Sequence, residues 1–184
     1  KDLEISCLPT AERTTVFHSS GTTGQRPSRH FHSADSLAVY EASLLPWFQR
    51  HVLPDLRTND DAADGNLRLI ILTPTSALAS HSSLVHMFET VRRALRAPES
   101  AFIGRLATDG SWSLDMDAAL VALGTNSKPE TLNPKLILGT AFSFVHLLDD
   151  LAAQGLVISL PAGSRVMETG GYKGRSRHLY KAEL

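Results

Sequence analysis

The chain has 184 residues, of which 42 % are hydrophobic, with 18 Lys and Arg set against 19 Asp and Glu. That length suits one domain with a sizeable core, and the near-balanced charge carries no basic footprint for nucleic acid. No apolar run approaches membrane-spanning length, and the single Cys7 excludes a disulfide framework and a cysteine-rich metal site.

No secretory leader is recognisable, so the expected setting is reducing and cytoplasmic. Lys1 is not an initiator methionine, and Arg175–Leu184 reads as a helix without a terminal cap. Both ends therefore suggest a domain excised from a longer chain.

In chain order, Thr14–Phe17 is a β-branched, apolar strand candidate, followed by the run His18-Ser19-Ser20-Gly21-Thr22-Thr23-Gly24. Glycine admits φ > 0 and close approach of the backbone to an oxyanion. Successive N–H groups then form a concave nest, and Ser and Thr hydroxyls add donors. Arg29–His32 reads as a second short strand. Ser33 is a plausible N-cap, and Leu37, Tyr40, Leu44, Leu45 and Phe48 recur at helical spacing, with Pro46 expected to kink or break that helix. Asn59–Gly65 is an acidic surface turn. Arg68–Leu72 is a buried strand that ends before Pro74, and Ser82–Leu95 is a helix with Leu84, Val85, Phe88, Val91, Ala94 and Leu95 inward. Ala101–Gly104 is a further strand, Asp115–Leu123 a short helix stopped by Gly124, and Lys135–Gly139 a buried strand. Ala141–Gln154 is a helix closed by Gly155, and Arg165–Thr169 is a last strand before Gly170-Gly171.

Strands alternating with helices predict an α/β fold, a mostly parallel sheet with helices on both faces. In such sheets ligands collect at the carboxyl ends of the strands. The glycine loop, Thr73–Ser83, Thr140 and Thr169–Gly171 all follow predicted strands and are expected to line one edge.

The glycine loop is not a Walker A sequence, which needs a Lys-Ser/Thr pair at wider spacing, nor a G-x-G-x-x-G dinucleotide loop. No G-x-S-x-G nucleophile elbow occurs. Two arginines, Arg26 and Arg29, follow closely, and guanidinium pairs bidentately with phosphate oxygens. The competing reading is a polar surface loop.

Ser-Ser-Gly-Thr-Thr-Gly resembles the phosphate-binding loop of the adenylate-forming superfamily, which contains acyl- and aryl-CoA synthetases, nonribosomal adenylation domains and luciferases. That loop is usually followed by Pro-Lys-Gly, whereas Gln25-Arg26-Pro27-Ser28-Arg29-His30 stands here. Three other stretches are similar to a narrower branch, the LuxE-type acyl-protein synthetases: Ser82-Ser83-Leu84-Val85-His86-Met87, the strand and helix over Leu136–Leu151, and Met167-Glu168-Thr169-Gly170-Gly171-Tyr172-Lys173-Gly174-Arg175. The last is similar to that branch's E-T-G-G-x-K-G-R signature, and the matches run in family order over nearly the whole chain.

The resemblance implies a three-layer α/β fold, with residues 1–184 forming part of a large N-terminal nucleotide-binding domain. It implies ATP-dependent activation of a fatty or related carboxylic acid to an acyl-adenylate, and transfer of the acyl group to a protein thiol. A phenylacetate-CoA-ligase-like enzyme with coenzyme A as acceptor, and a nucleotide-binding subunit without catalysis, are the alternatives. Ser19, Ser20, Gly21, Thr22, Thr23 and Gly24 would hold the ATP phosphates, with Arg29 in place of the loop lysine. Thr169, Gly170 and Gly171 would lie against adenine; a tight turn also explains these glycines. His81, Ser82 and Phe142 are acyl-pocket candidates, and Mg²⁺ would accompany ATP without an identifiable protein ligand. The magnesium-binding Tyr-Gly-x-Thr-Glu segment, the acyl-accepting cysteine and the catalytic-lysine domain of the family are expected beyond Leu184.

Overall fold

The computed structural model describes residues 6–19, 27–55, 67–97, 100–124 and 133–170. After a 3-10 turn at Thr10–Glu12, strands β1 (Thr15–His18) and β2 (Arg29–His32) pair antiparallel, Phe17 facing His30 and His18 facing Arg29. Helix α1 (Ala34–Val52) follows at once. Ser33 caps it, accepting from the Ser36 N–H while the Ser36 hydroxyl receives the Ser33 N–H at 2.9 Å, a reciprocal capping box with serine at both positions.

Of the kink or break expected at Pro46, the break does not occur: α1 continues through it to Val52. The missing proline N–H orphans one carbonyl a turn earlier, at Ala42. Ala42 is exposed, while Phe48, 1 % exposed, anchors the following turn in the core.

The central sheet is built from β3 (Arg68–Ile71), β4 (Ala101–Phe102), β7 (Lys135–Thr140) and β8 (Arg165–Thr169). Its strands are all parallel, in the order β4-β3-β7-β8. Helices α2 (Ser83–Ala94), α3 (Met116–Leu123) and α4 (Ala141–Ala153) supply the connections, and β5 (Gly104–Leu106) with β6 (Trp112–Leu114) forms a small antiparallel hairpin between β4 and α3. Sequence reading joined Ala101–Gly104 into one strand and did not find β6. The chain divides at Ile103, whose N–H still bonds Ile71 O at 2.8 Å, because the backbone turns there to run beside Thr73.

Strand alternation sorts the core into two layers. Leu69, Ile71, Leu136 and Leu138 pack against Phe48, Phe88 and Val91 of α1 and α2. Ile70, Leu72 and Ile137 pack against Ala119, Ala122, Phe144, Leu147 and Leu151 of α3 and α4. Helices therefore cover both faces of a sheet whose central strands are apolar on both sides, as parallel sheets require.

The chain leaves β3 through α2 toward β4 and leaves β7 through α4 toward β8. These neighbouring strands send their connections to opposite faces and opposite sides. The crevice outside their carboxyl ends is the topological switch point where ligands bind in open α/β sheets.

Candidate functional site at the carboxyl edge of the sheet

Two helices begin at the switch point, each capped by a hydroxyl. Ser82 accepts from the Val85 N–H at the start of α2, and Thr140, directly after β7, accepts from the Ser143 N–H at 3.1 Å. The Thr140 and Ser143 hydroxyls also bond each other at 2.9 Å. Thr73, two residues after β3, is fully buried. Helix N-termini present unpaired N–H groups and the positive end of the helix dipole, so this edge favours an anion.

The glycine loop does not leave a strand of the central sheet, as expected from sequence; it joins β1 to β2 at the tip of a separate hairpin. Its base is closed by a serine pair. The Ser19 N–H donates to Ser28 O at 2.9 Å, and the Ser28 N–H and hydroxyl both donate to Ser19 Oγ at 2.8 Å. Ser19 keeps its own hydroxyl proton as a donor. Ser20, Gly21, Thr22, Thr23 and Gly24 lie outside the described residues. Arg29 lies across from His18, exposed, with its guanidinium 5.7 Å from the centre of the Phe31 ring.

The hairpin reaches the carboxyl edge through His81, in the loop between β3 and α2. The His18 N–H donates to His81 O at 2.9 Å, His81 Nδ1 donates to Val16 O at 3.1 Å, and the two imidazoles stack with centres 4.5 Å apart and planes at 17°. On the other side of the hairpin, Phe17 is buried between His32 and His86, each with its ring centre 5.3 Å away. His86 Nε2 in turn bonds Glu41 Oε1 at 2.8 Å. Burial, then the neighbouring Glu41 charge, raises the Tyr40 hydroxyl above the usual tyrosine range. Partial burial, then His81 and Arg29, hold His18 below the ordinary histidine value.

The structure thus brings Ser19, Arg29, His81 and Ser82 together on the α2 side of the carboxyl edge. Thr169 is in register with Thr140 at the same edge. Gly170 follows with φ +85°, and a Cβ there would meet nothing within 4 Å. Its backbone conformation, rather than crowding from the protein, calls for glycine. Gly171 lies outside the described residues.

The three acyl-pocket candidates do not share a face. His81 and Ser82 precede α2, whereas Phe142 sits in the first turn of α4 across the sheet, edge-on to His146 at 4.4 Å. His81 also has a second task unseen in sequence, since its ring is committed to the hairpin. Sequence reading assigned no role to His18 or Glu41; no spacing rule links positions so far apart in the chain.

No family model matches the chain, and neither a curated protein nor a solved structure resembles it. Among the described residues no cluster of three His, Cys, Asp or Glu side chains is placed to hold a metal ion, and no helix is long and apolar enough to cross a membrane.

Proposed function

We propose that the chain is the nucleotide-gripping part of an adenylate-forming enzyme of the LuxE type, which activates a fatty or related carboxylic acid with ATP and passes the acyl group to a protein thiol. The supporting observation is convergence on one edge. Parts of the stretches on which the resemblance rests, the stem of the β1–β2 hairpin at His18 and Ser19, the His81-Ser82 start of α2 and the Glu168-Thr169-Gly170 end of β8, are far apart in sequence yet lie toward the carboxyl ends of the strands, which supports this reading.

The chemistry suits the arrangement. Adenylate formation joins a carboxylate oxygen to the α-phosphorus as pyrophosphate leaves, so two anions that repel must be aligned and the leaving charge neutralised. Hydroxyls of the loop and of Ser19 and the Arg29 guanidinium are donors, and the helices that start at Ser82 and Thr140 have no acidic residue in their first turns. Mg²⁺ is typically held largely by phosphate oxygens and water, so no residue of this chain is assigned to it. The switch-point crevice between α2 and α4 is the place for the carboxylic acid.

The test is ATP–pyrophosphate exchange by the full-length protein over a panel of carboxylic acids. Exchange that depends on a fatty acid, and is lost when Gly21 or Gly24 is replaced by valine, is the expected result. Retained exchange in those variants removes the phosphate-loop assignment. Activity that requires coenzyme A as acceptor shifts the reading to an acyl-CoA ligase, and ATP binding without exchange shifts it to a non-catalytic nucleotide-binding subunit.

A further inference from the structure

The hairpin that carries the glycine loop belongs to no larger sheet, so its position depends on what holds it. One side is held by apolar contact, through buried Phe17 against His86. The loop end is held by His81, through the main-chain bond from His18, the ring bond to Val16 O and the imidazole stack. We propose that the His18–His81 pair is a pH-sensitive latch, which keeps the hairpin seated on the carboxyl edge at neutral pH and loosens it in mildly acidic conditions.

The tautomer follows from the geometry. A carbonyl only accepts, so His81 Nδ1 carries a proton and Nε2 is where the next proton binds. One protonated ring still stacks on a neutral one. Two protonated rings place like charges at a centre-to-centre distance of 4.5 Å, and Arg29 stands opposite His18 in the hairpin. Among the described residues no carboxylate forms an ion pair with either ring. Of the other titratable groups about the hairpin, His30 and His32 share the Phe17 side, where His86 pairs with Glu41 and Tyr40 lies tilted to His86, while Arg13, over Phe31, is a further cation on the face of His18 and Arg29.

The direction of the effect is fixed by linkage. His18 is held below its ordinary value by partial burial, then by His81 and Arg29. The undocked hairpin therefore binds protons more readily than the docked one, and docking weakens as pH falls through the ordinary histidine range, the loss being complete below the depressed His18 value. A consequence for phosphate binding rests on the nucleotide reading above; the docking equilibrium does not.

Amide hydrogen exchange of the protein at about pH 7.5 and about pH 5.5, corrected for intrinsic rates, tests the latch. In the unaltered protein the protection of the His18 amide is expected to fall at the lower pH. His18→Phe keeps the stack and the main-chain bond but removes one charge, so its protection is expected to be equal at both values. Unchanged protection in the unaltered protein, or the same loss in His18→Phe, overturns the proposal and, in the second case, moves the effect to the Phe17 side. Should His18→Phe fail to fold, NMR titration of the two rings decides: coupled titrations with His18 displaced downward uphold the latch, and independent titrations at ordinary values overturn it. Absence of ATP binding at both pH values would remove the nucleotide reading and leave the latch standing.

Discussion

At the carboxyl edge of the sheet the polar side chains around the helix starts are hydroxyls: Ser82 and Thr140 cap helices, Ser143 bonds Thr140, Thr73 is buried just after β3 and Ser19 bonds Ser28 at the base of the hairpin loop, while Glu168 stands near the end of β8. At the amino edge they are cations. Arg68 and Lys135 face each other in register on β3 and β7, Lys135 is 3 % exposed, and Arg68 Nε is buried without a hydrogen-bond partner. Arg165 reaches Val52 O at 2.8 Å and the Asp55 carboxylate there, beside an open depression of about 380 Å³ lined by His51, Val52, Pro54, Arg165, Val166 and Met167. The difference follows from how the sheet is wound. Connections between parallel strands return antiparallel to them, so helices start at one edge and finish at the other. Arg68 and Lys135 share the strand face of Ile70 and Ile137, which is covered by α3 and α4, and so lie toward the ends of those helices. Cations are favoured at helix C-termini and anions at N-termini. The same dipoles that favour negative charge at the carboxyl edge favour buried positive charge at the amino edge.

Two substitutions sharpen this contrast. The larger effect belongs to the carboxyl edge, where the chain crosses itself. A Cβ at Gly104 would overlap the main chain at Thr73 and Pro74, and that backbone cannot yield without moving the end of β3. Gly104→Ala is expected to cost about 3 kcal/mol, read as a loss of chemical-denaturation midpoint at unchanged slope. A cost no larger than that of a surface alanine would mean that the crossing is loose and the crevice poorly defined.

The smaller effect belongs to the amino edge. Burial, then the charge of Arg68, holds Lys135 below the ordinary lysine range, which marks its ammonium as under-compensated. Lys135→Met keeps the volume and removes the charge, and is expected to stabilise the protein by on the order of 1 kcal/mol. The sign with pH follows: between the depressed value and the ordinary one the unfolded chain binds more protons, so the unaltered protein gains stability as pH rises through that window. Lys135→Met lacks the gain. Thermal unfolding of both proteins from neutral to alkaline pH checks this; destabilisation by Lys135→Met would show that the edge holds a counter-charge after all.

Much of this architecture was legible in the sequence because its signals are local. The apolar runs at Arg68–Leu72 and Lys135–Gly139, the cap Ser33, the helix starts at Ser82 and Asp115, which prove to be the caps themselves, and the stops Gly124 and Gly155 mark strands and helices that the structure contains, with ends shifted by a residue or so. The β5–β6 hairpin was also marked, by Asp109-Gly110 between two short β-runs, a turn signal that went unread. There Gly110 takes φ +80° and the Asp109 carboxylate accepts from the Ser111 N–H and hydroxyl. What was not legible is pairing. Nothing near Thr14–Phe17 says that β1 joins β2 rather than the parallel sheet, because both choices bury Phe17. Nothing near His18 says that its ring meets one from a loop more than sixty residues on. At Pro46 the local rule left kink and break open, and the helix runs on through it to Phe48, which is buried in the core.

The central claim is that the carboxyl edge, and not the amino edge, takes the nucleotide. Two-dimensional amide NMR of the protein titrated with ATP tests it directly. The expected result is a saturable set of shifts centred on Ser19, Arg29, Thr140, Thr169 and Gly170, with Val52, Arg165 and Val166 unmoved. Shifts confined to the amino edge, or none at ATP concentrations well into the millimolar range, would contradict it.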